Sequence, residues 1–396
     1  MRVTSHPSPY DAIILGAGAA GLFCAAIAGQ RGRRVLLVDH ADRPGKKILI
    51  SGGGRCNFTN LHTAPDRFLS ANPHFAKSAL ARYTAQDFVA LVDAHGIAWH
   101  EKTLGQLFCD GSARAIVDML LGECERGGVD LWLGNPISSV DHADATYRIT
   151  VGDREATAPA LVIATGGPSI PKMGATGFAY DLARKFGLKV VEPRPALVPL
   201  TLGGDDVLFR ELSGVAAPVI ARAGKAAFRE AALFTHRGLS GPAILQASSY
   251  WRHGEPVGID FAPDRKTGWL REAKRAQPRT TLRRALGSTL PDRLAETLAN
   301  RIALTGDLGN LPDRQLEAAE ARLSDWRFTP NGTEGYAKAE VTAGGIGTAA
   351  LSSQTMQAKS VSGLYAVGEA VDVTGWLGGY NFQWAWASGW AAAQDL

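Results

Sequence analysis

An apolar stretch, Ala12-Ile13-Ile14-Leu15, runs straight into Gly16-Ala17-Gly18-Ala19-Ala20-Gly21, and after an alanine-rich run comes a second apolar stretch, Val35-Leu36-Leu37-Val38, ending on Asp39. Strand, glycine turn, helix and acid-tipped strand are the parts of a dinucleotide-binding unit. Gly16 permits the tight turn, Gly18 lets backbone approach a pyrophosphate, and Gly21 lets the helix pack on the strand. Ala19 and Ala20 lie at the helix start that faces the phosphates, and Asp39 is placed to accept hydrogen bonds from a ribose. At the other end, Gly363-Leu364-Tyr365-Ala366-Val367-Gly368-Glu369 reads as a buried strand closed by glycine and an acid, and Gly378-Gly379-Tyr380-Asn381 opens an apolar helix. A cofactor long enough to touch both ends of the chain fits FAD better than NAD.

Composition excludes more than it assigns. The 396 residues, 45% hydrophobic with 45 glycines, can build two or three domains around a large core. A net charge of +4, from 42 basic and 38 acidic residues, does not by itself imply nucleic acid. Cys24, Cys56, Cys109 and Cys124 show neither metal-ligand nor disulfide spacing, so no metal is expected and a reducing compartment fits. The apolar run at 12–15 is too short for a signal sequence or a membrane span, which places the protein in the cytoplasm. Oligomeric state is left open.

Along the chain, short apolar runs alternate with helical spacing, as a parallel sheet with crossover helices requires. Helices are expected over 76–95, over 112–126 with Ser112 as N-cap, and over 177–187; strands are expected at 129–133, 137–141, 147–151 and 161–164. The character changes at Pro193-Arg194-Pro195. Residues 198–261 read as β-rich, with one helix after Ser240-Gly241-Pro242, and 266–326 read as wholly helical. The fold class is therefore α/β: a discontinuous Rossmann-like FAD-binding domain (1–192 and 346–396) with an inserted β-rich domain (193–263, returning at 327–345) and a small helical domain (264–326).

In the loop 51–60, three glycines precede Arg55, Cys56 and Asn57; the backbone amides around Gly53 and Gly54 can cradle phosphate or approach a flavin, and Arg55 can neutralise an anion. Lys46 joins the candidate set, whereas Lys47 reads as solvated. Thr165 and Gly166 end a buried strand where backbone can pass close to the cofactor. Gly368 and Glu369 face the ribityl hydroxyls, and the amides of Gly379, Tyr380, Asn381 and Phe382 aim partial positive charge at the flavin edge that gains negative charge on reduction. Asp372 divides evenly between flavin contact and capping. Trp376, Trp384, Trp386 and Trp390 read as core, and Cys56 and Cys109 as buried rather than redox-active. His236 is the candidate catalytic acid or base, since a near-neutral intrinsic pKa meets a glycine-rich strand end there. The run Arg265–Arg284 holds eight basic residues. It reads as an exposed helix face, making nucleic acid a disfavoured partner. No second Gly-x-Gly-x-x-Gly follows, so NAD(P)H, if used, binds transiently.

The segments from Gly45 to Asn60, from Leu233 to Pro242, from Val341 to Ile346 and from Gly378 to Gln383 resemble the BaiN-like flavoproteins, also called the aminoacetone oxidase family. The resemblance runs nearly end to end. It implies three domains and FAD bound non-covalently between the glycine-rich ends, and Ile137 completes the expected cofactor set. Asp39 departs from the more frequent Glu, and Cys109 from the more frequent Pro. The activity expected is that of an FAD-dependent oxidoreductase, moving hydride between a small organic substrate and flavin, with O2 or another acceptor closing the cycle. An amine such as aminoacetone is suggested by the family name. The alternatives are a flavoprotein that acts on or binds RNA through the basic insertion, and a non-catalytic FAD-binding redox sensor.

Overall fold

The computed structural model describes residues 10–396, which divide into two compact units. One comprises the described residues up to Arg194 together with Val341–Leu396; the other is Pro195–Glu340.

The first unit is built on a five-stranded parallel sheet in the order Leu364–Ala366, Ala160–Ile163, Ala12–Leu15, Val35–Asp39, Asp130–Leu133. All four side chains of Ala12–Leu15 have zero exposure, as an uninterrupted apolar run in a sheet covered on both faces should. Helix Ala19–Gln30 packs against helix Tyr380–Ala393 and helix Arg114–Arg126. The crossing with Tyr380–Ala393 is close: a Cβ on Gly389 would stand 2.8 Å from the carbonyl oxygen of Ala20. Phe23, Phe88 and Trp386 fill the layer beside these helices, Phe88 and Trp386 stacked at 4.3 Å. Trp384 and Trp386 are buried core residues, as the sequence suggested.

Local chemistry changes three expected elements here. The helix expected from Ser112 begins at Arg114 with Ala113 at its N-cap, while Ser112 Oγ accepts from the Arg114 amide at 3.2 Å. The helix expected over 76–95 is two helices, Lys77–Arg82 and Ala85–Ala94, because Thr84 and Asp87 form a reciprocal capping box that starts the second. A third antiparallel strand, Arg154–Ala158, follows Ile137–Ala143 and Thr146–Val151, one more than the turn at Gly152 indicated.

In the second unit a seven-stranded antiparallel sheet runs in the order Trp326–Phe328, Val257–Asp260, Ala216–Ala223, Ala226–Phe234, Gly238–Ser240, Leu200–Thr201, Gly332–Thr333. Four helices, Trp269–Ala276, Leu282–Gly287, Asp292–Ile302 and Asp313–Ser324, supply the helical run of this unit. It stops before Trp326, whose side chain and that of Phe328 are buried while Arg327 between them is exposed. That alternation has the period of a strand, and the segment pairs with Val257–Ile259. Among the described residues no helix is long and apolar enough to cross a membrane, and no cluster of His, Cys, Asp or Glu could hold a metal ion.

Candidate functional site

Glycine-bearing turns at Gly16, Gly166 and Gly368 leave the carboxyl ends of parallel strands in the first unit, the edge where ligands bind in open α/β sheets. In the first, a Cβ on Gly21 would stand 1.8 Å from the carbonyl oxygen of Gly16, and one on Gly16 would stand 2.6 Å from that of Ala164. A Cβ on Gly18 would meet nothing within 4 Å. Two of the glycines are therefore required by packing, and the middle one leaves space for a ligand. The Ala17 amide donates to Asp39 Oδ2 at 2.7 Å and the Ala41 amide to Oδ1 at 2.8 Å. Asp39 thus clamps the glycine turn, with a second lone pair on each oxygen left for ribose hydroxyls.

The loop 51–54 carries left-handed backbone at Gly52, Gly53 and Gly54 in succession, a path only glycine follows without strain. A Cβ on Gly53 would meet nothing, Arg55 is exposed beside it, and Cys56, itself at positive φ, is buried. Thr59 Oγ1 donates to Gln383 Oε1 at 2.6 Å and Trp386 Nε1 to the carbonyl oxygen of Phe58 at 2.8 Å, tying the strand Asn57–Asn60 to the closing helix. The Asn57 amide, oriented to satisfy its neighbours, accepts from Gly379 N–H at 3.2 Å. Asn381 accepts from Gly375 N–H at 2.8 Å and donates back to its carbonyl at 3.0 Å. These bonds fix the first turn of Tyr380–Ala393, whose amides at Tyr380, Asn381 and Phe382 are those an α-helix leaves without internal acceptors. Beside that turn, Arg67 lies over the Trp376 ring at 4.4 Å.

Glu369 is the hub. Its Oε1 accepts from Ser169 Oγ at 2.7 Å and from the Thr342 amide at 2.9 Å, and its Oε2 accepts from Lys47 Nζ at 3.0 Å. Lys47 also donates to Ser169 Oγ at 2.7 Å. Sequence reasoning missed this use of Lys47, which it read as solvated, and gave no role to Ser169 or Thr342. Lys46 instead pairs with Asp42 one helical turn back, at 3.0 Å. Gly166 passes close to Glu369, since a Cβ there would be 3.7 Å from Oε2. The neighbouring Thr165 Oγ1 is buried with no hydrogen-bond partner among the described residues.

Ile137 opens the antiparallel strand Ile137–Ala143, half-buried against the core. His236 lies in the second unit, exposed on the turn between Ala226–Phe234 and Gly238–Ser240, where Thr235 N–H bonds the Gly238 carbonyl at 2.7 Å. All four cysteines are free and buried. Burial pushes the Cys109 thiol up to about 11 and the Cys124 thiol up to about 12, and raises Cys24 and Cys56 as well. Thiolate chemistry is suppressed at all four positions.

Asp372 accepts from the Ala71 amide at 2.9 Å, and burial raises its carboxyl, with Arg194 opposing. A raised folded pKa means that folding favours the proton. The stability it contributes is complete below the unfolded value of about 4 and is lost as pH rises through the folded value. Asp372→Asn keeps an acceptor for Ala71 and carries no charge. It is therefore expected to melt above the wild type at neutral pH, both saturated with FAD, with the gap closing by about pH 3. Equal melting at neutral pH would show that the Ala71 hydrogen bond and Arg194 together offset the burial.

The open space over Gly18 and Gly53, the orphan hydroxyl of Thr165 and the amides at the start of Tyr380–Ala393 suit a dinucleotide carrying a flavin. Fold and site together define an FAD-binding Rossmann protein of the oxidoreductase type. Residues 10–395 match the HI0933-like protein Rossmann domain, and the chain belongs to that family, with FAD as its cofactor. It is 54% identical over 400 residues to the ribosomal RNA dihydrouridine synthase of Escherichia coli K12, covering 98% of each chain. It is 46% identical to the protein of the same name from Haemophilus influenzae, covering 97% of this chain and 98% of that one. A more distant relative, the 3-dehydro-bile acid delta(4,6)-reductase of Clostridium scindens, is 28% identical over 96% of this chain and 97% of its own.

Proposed function

We propose that the protein reduces the C5=C6 double bond of a uridine in ribosomal RNA to give dihydrouridine. The observation that carries this reading is 54% identity, over 98% of both chains, to a relative of that name. Chemistry unites it with the distant relative. Uracil C5=C6 is conjugated to the C4 carbonyl, and a bile acid delta(4,6)-reductase by its name also acts on ring double bonds. Reduction adds one hydride to the carbon β to the carbonyl and one proton to the carbon α to it. Bound FAD, in its reduced form, supplies hydride. The glycine turn at 16–21, Asp39 and the loop 51–57 hold the cofactor, and Lys47, Ser169 and Thr342 hold Glu369 beside it.

The same reading sets aside the amine substrate, whose oxidation would run electrons the opposite way, and it overrides the low weight that net charge gave to nucleic acid. Electrons enter from outside the chain, and NADH and NADPH are the donors to compare. Expression in an Escherichia coli strain lacking its own dihydrouridine synthase for ribosomal RNA is expected to restore dihydrouridine to that RNA, read by mass spectrometry of its nucleosides. Flavin-loaded protein that leaves the RNA unreduced would overturn the proposal.

We assign the proton at the α carbon to His236, the exposed imidazole on its hairpin turn. His236→Ala is expected to retain FAD and to slow turnover about 10²-fold. An unchanged rate would make it a surface residue.

A further inference from the structure

The eight basic residues of Arg265–Arg284 do not form one uniform face. Arg271 pairs with Glu317 at 3.0 Å, Lys274 with Asp313 at 2.9 Å and Arg283 with Glu296 at 3.5 Å. Arg265 lies over the Trp269 ring at 5.1 Å and donates to Ser288 Oγ at 2.8 Å. Arg279 and Arg284 have no carboxylate partner among the described residues, and both are exposed. They line the same open cavity, of about 380 Å³, with Gln277, Pro278 and Thr280.

The rim of this cavity is held in place. The Leu308 amide donates to the Thr280 carbonyl at 2.8 Å and the Gly309 amide to that of Pro278 at 2.8 Å. A Cβ on Gly309 would stand 2.9 Å from the Pro278 carbonyl oxygen, so the two turns are in tight contact. Asp307, whose backbone bridges to Thr281, is the acidic residue of the same turn. A solvated helix face needs neither a fixed turn nor a concavity to display its charge. Two exposed guanidinium groups without carboxylate partners, on a turn held by backbone hydrogen bonds, suit the two non-bridging oxygens of a phosphodiester, and Gln277 adds amide hydrogen-bonding capacity.

Resting on the reading of RNA as substrate, we propose that the cavity between Gln277 and Arg284 binds a backbone phosphodiester of the RNA, away from the base that reacts. Phosphate contacts position a nucleic acid without reading its sequence, and each contributes to the salt dependence of binding.

The test compares wild type, Arg279→Gln/Arg284→Gln and Arg271→Gln/Lys274→Gln, all FAD-loaded, by filter binding to deproteinised ribosomal RNA across a salt series. The first double variant is expected to bind about tenfold more weakly at low salt and to lose about one unit of salt slope per arginine removed. The second, whose charges are already neutralised within the protein, is expected to change much less. Both are expected to keep wild-type flavin content, and Arg279→Gln/Arg284→Gln, whose altered side chains are exposed, is expected to keep the wild-type melting temperature. Lys274, half-buried and bonded to the Leu311 carbonyl and to Asp313, makes some loss of stability expected in the second. Equal losses in the two double variants would overturn the cavity as a discrete site. Wild-type affinity and slope in Arg279→Gln/Arg284→Gln, with wild-type protein binding RNA and forming dihydrouridine, would overturn the site and leave the substrate reading intact. Wild-type protein that neither binds nor reduces RNA would overturn both.

Discussion

Gly21→Ala protein is expected to emerge aggregated or free of flavin, and Gly18→Ala protein folded but free of flavin. The two substitutions add the same methyl group three residues apart. At Gly21 it would stand 1.8 Å from the Gly16 carbonyl oxygen, so helix Ala19–Gln30 would have to withdraw from the strand by more than about 1 Å and lose the packing that forms the core there. At Gly18 the methyl meets no protein atom within 4 Å and occupies the space that the proposed site leaves for a pyrophosphate. Flavin absorbance per mole of protein, with circular dichroism melts of the flavin-free forms, separates the two effects. Gly18→Ala should match the wild-type melt and bind FAD about 100-fold more weakly, ~2.7 kcal/mol. Full flavin content in that variant would mean that the pyrophosphate does not cross Gly18. Wild-type stability in Gly21→Ala would mean that the contact with the strand is slack.

Removal of the Glu369 carboxylate is expected to have the next largest effect on FAD binding. Glu369→Ala leaves the Ser169 hydroxyl, the Thr342 amide and the Lys47 ammonium without their shared acceptor. Hydrogen bonds to charged groups contribute roughly 1.5–3 kcal/mol, so FAD affinity should fall about tenfold or more. Glu369→Gln keeps an acceptor but loses the charge facing Lys47, and an intermediate loss is expected. Adding Lys47→Met to Glu369→Ala should cost less than the two single losses summed, because the ammonium left unpaired by the first change is removed by the second. Titration of flavin-free protein by fluorescence quenching measures all four. Unchanged affinity in Glu369→Ala would reduce the hub to scaffolding away from the cofactor.

The glycine turn was legible because its demands are local: Gly16, Gly18 and Gly21 act within one strand and one helical turn, and each leaves its mark on the residue type itself. Choosing between Lys46 and Lys47 was not a local matter. Helix Lys46–Ile50 is five residues long, too short for hydrophobic periodicity to fix which lysine faces inward. Ser169 and Thr342 escaped for the complementary reason. They meet Glu369 across 200 and 27 residues of chain, and neither a loop serine nor the backbone amide of a strand residue carries a mark of a partner that distant. The break at Thr84 and the strand at Trp326–Phe328 had visible signals, a capping box and a two-residue alternation, which the surrounding helical pattern outweighed.

The hub also dictates when, during synthesis, a cofactor site can exist. Among the described residues, strand Leu364–Ala366 joins the sheet through Ala160–Ile163 alone, and Glu369 follows it by three residues from Ala366. A ribosome that has made the whole glycine turn, its acid-tipped strand and the entire second unit has still not made the carboxylate or the closing helix. Such long-range closure is slow to form and leaves intermediates exposed. With the cofactor placed as proposed, flavin capture reports on a chain made through its last strand: a transcript truncated or stalled before that strand is expected to yield a polypeptide that carries the nucleotide-binding signature and stays colourless.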